Sequence, residues 1–231
     1  MIGMDKLREG EEVVPDRPEL RGTVAERLAA MRVDPAFALW AVRFGPPGFG
    51  VTVADAADRM WGDCRRPDWM ADALMLSAAG KAGGELHRRL VAHLCRATRA
   101  RVGDRAGQAA GRALNLALGW AERSPTSVLE VPVRSVVDAA EALNADVGAT
   151  MRALAQGKQR GWSPEDEAAA YVRFGAAAGA FFAASSVFDP RAVATAAMVL
   201  ALLSTGGSGV VSDDVAAALR AEFSVPEELR S

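Results

Sequence analysis

The segment 132–156 carries the feature that most constrains the fold, which is a long apolar repeat. Its apolar residues follow one another at intervals of three or four: Val133, Val136, Ala140, Leu143, Val147, Met151 and Leu154. That spacing places all seven side chains on one side of an α-helix. The sequence therefore predicts an amphipathic helix here, and Gly157 and Gly161 are expected to end it.

Helical signals recur along the rest of the chain. In 85–102, Leu86, Leu90 and Leu94 form an apolar edge, opposite a polar face of Arg89, His93, Arg96 and Arg99. The run Ser163-Pro164-Glu165-Asp166 has the cap, proline and acidic first turn of a helix start. No run alternates apolar and polar residues over the length of a strand.

The resulting prediction is an all-α protein, with one compact bundle of about eight to ten helices. The bundle is expected to occupy 23–225, after a flexible charged arm at 1–22 and before a tail at 226–231. Half of the 231 residues are hydrophobic and 24% are charged, which is typical of a globular protein. Much of the apolar content is alanine, which favours helices and lets them approach closely.

The densest run of unusual residues, 61–69, reads as a joint between two helices. Pro67 disfavours helical geometry at the residue before it and suits the first turn of a new helix. Trp61 and Trp69 lie on either side of it, with Arg65 and Arg66 between them. Two interpretations remain open, a packing corner and a recognition patch rich in Trp and Arg.

The sequence offers no motif for catalysis, a metal or a cofactor. His87 and His93 are six residues apart, so on a helix they point to different faces, and neither HExxH nor CxxC is present. Cys95 has apolar neighbours and is expected to be inert packing. Cys64 is followed by two arginines, which favour a lowered thiol pKa. A Cys64–Cys95 bridge is an open alternative.

Charge is distributed unevenly along the chain. Seven arginines lie between positions 85 and 112, against two acids, whereas twelve acids and seven bases follow from 138 onward. These are either solvated faces or a bipolar surface that steers a charged partner. The net charge of −2 argues against nucleic acid as the partner.

Two further features bear on location. The apolar run at 192–203 is too short to span a membrane, which needs roughly 20 residues. The charged residues 1–12 form no signal peptide, and two cysteines form no disulfide framework. A cytoplasmic protein is expected.

The residues Met60-Trp61, Cys64, Arg66 and Asp68-Trp69-Met70, followed by an Ala- and Leu-rich helix, resemble a motif of helical immunity proteins. These proteins belong to bacterial polymorphic toxin systems, in which a small cytoplasmic protein neutralises its cognate toxin. The resemblance covers about 54–79. It implies binding without turnover, in which the toxin is occluded by a complementary surface.

Three hypotheses follow, ranked in this order: a toxin-binding inhibitor, a helical scaffold that self-assembles through the 133–154 face, and an enzyme with a helical active site. For the first, a binding surface needs aromatic or arginine anchors. The candidates are Trp61, Arg65, Arg66, Trp69, Arg89, Arg96 and Arg99. A cationic toxin would instead meet acids such as Glu165, Asp166, Asp213 and Asp214.

Overall fold

The computed structural model of the chain describes residues 58, 61–76, 82–123, 131–159, 161–204 and 213–226. The predicted arm at 1–22 and the tail after Pro226 lie outside these ranges. Pro226 itself, the first residue of that tail, is buried.

Eight helices have both ends within the described ranges, residues 61–63 are helical as well, and these ranges contain no strand. The prediction of a compact all-α bundle is therefore confirmed. The α-helices are α1 (Pro67–Leu76), α2 (Glu85–Val102), α3 (Gly107–Glu122), α4 (Val133–Gln159), α5 (Pro164–Ser185), α6 (Ala192–Ser204) and α7 (Asp213–Glu222). A short 3-10 helix, Gly103–Ala106, joins α2 to α3.

Several helix ends follow the local chemistry of the sequence. Pro67 opens α1, with Asp68 in the first turn, where a negative charge meets the positive end of the helix dipole. The Ser163 hydroxyl accepts a hydrogen bond from the Asp166 amide at 3.1 Å and so caps α5. Gly103 ends α2 with a positive φ of 51°, a backbone conformation that favours glycine.

The end of α4 differs from the prediction. The helix continues through Gly157 to Gln159, and the left-handed Gly161, with φ of 71°, follows it. A side chain has no room at Gly157 because the Trp162 ring lies against the glycine backbone: an added Cβ would sit 2.2 Å from that ring. Gly157 therefore lets the Trp162 ring approach the helix backbone closely, and it does not end the helix.

The centre of the bundle is α5, which contacts α2, α3, α4 and α6. Its buried face consists mainly of alanine, so neighbouring helices come close. At Gly179 an added Cβ would lie 2.7 Å from a Leu203 methyl of α6. Small side chains on α5 therefore determine how closely α6 can pack.

The hairpin of α4 and α5 projects from this body. Among the described residues of 144–173, only Leu154, Gly157 and Ala170 are buried. Two residues of the predicted apolar face, Val133 and Met151, are 42% and 56% exposed. The middle of that face, including Val136 and Leu143, is buried as expected.

The last helix, α7, closes one side of the bundle by packing on α6 and α1. Its buried side chains include Val215 and Leu219, and Phe223 just beyond its end is also buried. Arg220 donates a hydrogen bond to the Cys64 carbonyl, which ties α7 to the residues before α1.

Candidate binding surface

The joint at 61–69 is packed into the body on one side. Trp61 is 6% exposed and belongs to the main apolar core, so it offers little contact area to a partner. The buried Cys64 directs its thiol to the Arg66 carbonyl at 3.4 Å. Pro67 is buried as well. These residues form a corner that sets the start of α1.

Arg66 and Trp69 form the outer part of the joint. The Arg66 guanidinium donates two hydrogen bonds to the Asp68 carboxylate, at 2.9 and 2.7 Å, and stacks on the Trp69 ring at 4.6 Å. Arg65 is different, since its side chain is 80% exposed and lies 3.6 Å from Asp213 of α7. Of the four joint residues proposed as contacts, Arg65 is the most open to a partner.

The two thiols are poorly suited to nucleophilic chemistry. Burial raises the pKa of Cys64, and the Asp68 carboxylate acts in the same direction. The charges of Arg220 and Arg66 oppose this but do not outweigh it. The expectation of a lowered Cys64 pKa was therefore wrong, because desolvation exceeds the effect of the neighbouring arginines. Burial also raises the pKa of Cys95 to about 12. Both cysteines are free, so the structure does not contain the bridge left open above.

The predicted arginine face of α2 lies on the outside of the bundle, beside α3. Arg96 donates to the Glu122 carboxylate at 2.9 and 3.0 Å. Arg99 donates to the Asn115 side-chain carbonyl at 2.9 Å. As Arg96 meets position 122 and Arg99 meets position 115, the two helices run antiparallel. They present their polar sides together as one surface.

The first half of that face is occupied by the end of α7. Arg89 donates to the Glu222 carbonyl at 3.1 Å and stacks over the Phe223 ring at 5.2 Å. His93 places its Nδ1 atom 2.5 Å from the Glu222 carboxylate. Arg89 and His93 therefore hold the C-terminal helix, and Arg89 is less available than its exposure indicates.

Two further arginines extend the surface at its other end, where the sequence interpretation did not place them. Arg112 of α3 lies one turn before Asn115, at the level of the last turn of α2, and is exposed. Arg105 is exposed in the 3-10 helix between the two helices. We call Arg99, Arg105 and Arg112 the arginine corner. In the sequence, these three residues belong to the run of seven arginines. Only the packing of α2 against α3 shows that these three lie together.

Behind the surface, two buried polar residues fix the geometry of α2. His87 is fully buried; its Nδ1 accepts from the Gly83 amide at 2.9 Å, so Nε2 carries the hydrogen and donates to the Ser186 carbonyl at 2.7 Å. Arg88 donates to the carbonyls of Trp120 and Arg123 at 2.6 and 2.9 Å, which joins α2 to the end of α3. The outer arginines therefore project from a rigid helix pair.

The arrangement suits recognition of anions. Exposed guanidinium groups offer several donors in a planar fork that fits carboxylates and phosphates. Within the described ranges, no three His, Cys, Asp or Glu side chains are placed to hold a metal ion. None of the helices described is both long and apolar enough to cross a membrane.

Comparisons of this chain with protein-family models, with curated proteins and with solved structures produced no match.

Proposed function

We propose that this protein is a cytoplasmic, non-catalytic binding module that neutralises a partner protein by covering it, in the manner of the immunity proteins that its 60–70 motif resembles. The observation that carries the proposal is the exposed arginine surface of α2 and α3, held from behind by His87 and Arg88. A preorganised surface loses little conformational entropy on binding. Arginine is also among the residues that dominate interface energies.

The proposal is tested by co-expressing the chain with the product of the neighbouring gene. We expect a stable complex on co-purification, rescue of growth if that product is toxic, and no catalytic turnover by the chain alone. Absence of both a complex and rescue would overturn the proposal. A catalytic role is less well supported, because burial raises the pKa of both thiols and so suppresses the nucleophilic thiolate.

At the joint, the informative variant is Arg65→Glu. Arg65 is exposed and lies 3.6 Å from Asp213, which is also exposed, so solvent screens the repulsion that charge reversal creates there and the fold should stay intact. Reversal at Arg66 would instead place two carboxylates together, because Arg66 is bound to Asp68. If Arg65→Glu leaves the affinity of the complex unchanged, the joint is a structural corner and the partner binds elsewhere.

A second candidate function is self-assembly, and the exposure of Val133 and Met151 favours it. Both belong to an apolar stripe whose middle is buried, and their exposed area would be covered in an oligomer. Light scattering of the pure protein should then give a dimer or larger, and Met151→Glu should reduce it to a monomer. A wild-type protein that is monomeric throughout would remove this candidate.

A further inference from the structure

The exposed arginines of this protein differ in what accompanies them. Several have a carboxylate partner: Arg65 with Asp213, Arg96 with Glu122, Arg134 with Asp138 and Arg191 with Asp189. At the arginine corner, Arg99 is bound to a neutral amide, that of Asn115. Among the described side chains, no carboxylate pairs with Arg105 or Arg112.

This difference has an electrostatic consequence. A paired arginine presents a nearly neutral group to an approaching molecule, whereas an unpaired one keeps its full field and its free donors. Arg99 uses one of its five N–H donors on Asn115, which orients the guanidinium, and no carboxylate of the described ranges takes the others. The sequence segment 99–112 contains four arginines and one acidic residue, which gives it a formal net charge of +3 (four minus one).

We infer that the arginine corner is the docking site for an acidic segment of a partner protein, whose carboxylates pair with Arg99, Arg105 and Arg112, to which no described side chain supplies a carboxylate. The inference rests on the proposed binding function and specifies the surface and the partner's chemistry. Planar guanidinium groups match carboxylates in two-pronged geometry. Nucleic acid fits less well, because the chain as a whole has a net charge of −2 and nucleic-acid-binding domains are strongly basic.

The test measures binding of a fluorescent oligoglutamate peptide to the full chain by anisotropy at low salt and neutral pH. The wild type should bind, and added salt should weaken binding because exposed charges are screened. Arg99→Glu combined with Arg112→Glu should weaken binding by roughly tenfold or more, as expected for loss of close charge pairs at an interface. Arg99→Lys with Arg112→Lys keeps the charge and should retain much of the affinity.

The matched control is Arg134→Glu combined with Arg191→Glu, which makes the same change in net charge at exposed arginines that already have acidic partners. These residues lie at the opposite end of the bundle. The Thr98 side chain of α2 lies beside Gly179 and His87 binds Ser186, so α2 and α5 are antiparallel. Arg191 follows the end of α5 and therefore lies near the start of α2, whereas the arginine corner lies at the end of α2. The control should change affinity by less than about twofold, since no close contact is removed.

Three outcomes would overturn the inference: no binding of oligoglutamate by the wild type, equal loss in the control, or tighter binding of an oligothymidylate of matched charge, which would indicate nucleic acid. The proposed function is judged separately, on the complex with the neighbouring gene product. If that complex forms and the Arg99/Arg112 reversal does not weaken it, the function stands and this surface is wrong. If the peptide binds at the corner and no such complex forms, the surface stands and the function is wrong.

Discussion

Arg88 shows how one buried charge can organise a helix pair. Its guanidinium stacks on Trp120 at 4.4 Å and donates to three carbonyls, those of Gly83, Trp120 and Arg123. The last carbonyls of a helix have no partner within it, so Arg88 supplies donors to the end of α3. The same side chain holds the turn before α2. One residue therefore fixes the positions of α2 and α3 relative to each other.

Replacing Arg88 should accordingly be costly. Arg88→Ala leaves buried carbonyls without donors and removes the contact with Trp120, so we expect a loss of about 2–4 kcal/mol in the free energy of unfolding. Arg88→Lys should recover little of this, because an ammonium group cannot reproduce the planar set of contacts. Urea denaturation measures both. Exposed Arg112→Ala is the control, with an expected change within ~0.5 kcal/mol; similar losses in both would contradict the role of Arg88.

Cys95 gives a prediction for the pH dependence of stability. Burial raises its pKa in the folded protein from 9.0 to about 12. Above pH 9 the unfolded chain therefore ionises this thiol while the folded protein does not, and unfolding becomes easier as the pH rises. The stability of the wild type should fall by up to about 1.4 kcal/mol per pH unit between the two pKa values.

The matched variant is Cys95→Ala, which lacks the thiol. Its stability should depend less steeply on pH above 9, as measured by urea denaturation at several pH values. Parallel curves for wild type and variant would show that the Cys95 thiol ionises equally in both states.

The burial of His87 and Arg88 could not be predicted from the sequence. Both follow Leu86 in the sequence, and helical spacing alone does not distinguish them from the other polar residues of α2. Their acceptors and donors are backbone groups of the Gly83 turn, the end of α3 and Ser186. The amino-acid sequence does not indicate which backbone groups will bind a side chain, so these contacts can be identified only in the folded structure.

At the scale of the element, α2 could be predicted to its last residue. Glycines flank it, and of its apolar edge Leu90 and Leu94 are buried as expected while Leu86 is half-buried. The end of α4 could not be predicted, because Gly157 makes room for the ring of Trp162, five residues further on, and does not end the helix. Periodicity showed which residues of α4 share a face, but it does not say what covers them. Met151 lies on that face beyond the reach of the body and is exposed.

Gly157 and Trp162 should therefore show strong coupling. In the wild type, Gly157→Ala forces the ring aside and should destabilise the protein by about 1–3 kcal/mol. With Trp162→Ala already present, the same change should be neutral or stabilising by up to about 1 kcal/mol, because alanine is the better helix former. Thermal unfolding of the four proteins in this cycle measures the coupling, and equal effects in both backgrounds would show that the ring does not depend on Gly157.

At the scale of the whole molecule, the sequence predicted an alanine-lined helical bundle and the structure contains one, but which helix lies at the centre depended on details of packing. Three leucines and Trp120 make the sequence of α3 apolar nearly all round, a pattern that by itself favours a central position for this helix. In the structure α3 exposes Gln108, Arg112 and Asn115, and α5 is central because its small residues admit four neighbours.

The candidate surface was likewise predictable in part. Helical spacing alone placed Arg89, Arg96 and Arg99 on one side of α2, and all three are exposed. Spacing could not show that α7 covers Arg89, that Arg112 joins the group from α3, or that Trp61 is buried in the core. Each of these depends on contacts between helices distant in sequence, and local patterns carry no information about them.

The division between a packed body and a projecting hairpin predicts a gradient of local stability within single helices. In α5, residues 176–180 are all buried, whereas 164–169 contain no buried residue. Amides with few buried neighbours open by local unfolding, at a lower free energy than amides that need global unfolding. Native-state hydrogen exchange should therefore be faster at 164–169 than at 176–180 by at least about tenfold, or ~1.4 kcal/mol. The end of α4 should behave like the start of α5, since the two contact each other. Uniform protection along α5 would instead mean that the projecting end is covered. A second copy of the chain, in a self-associated form, would then be the first candidate to test as the covering molecule.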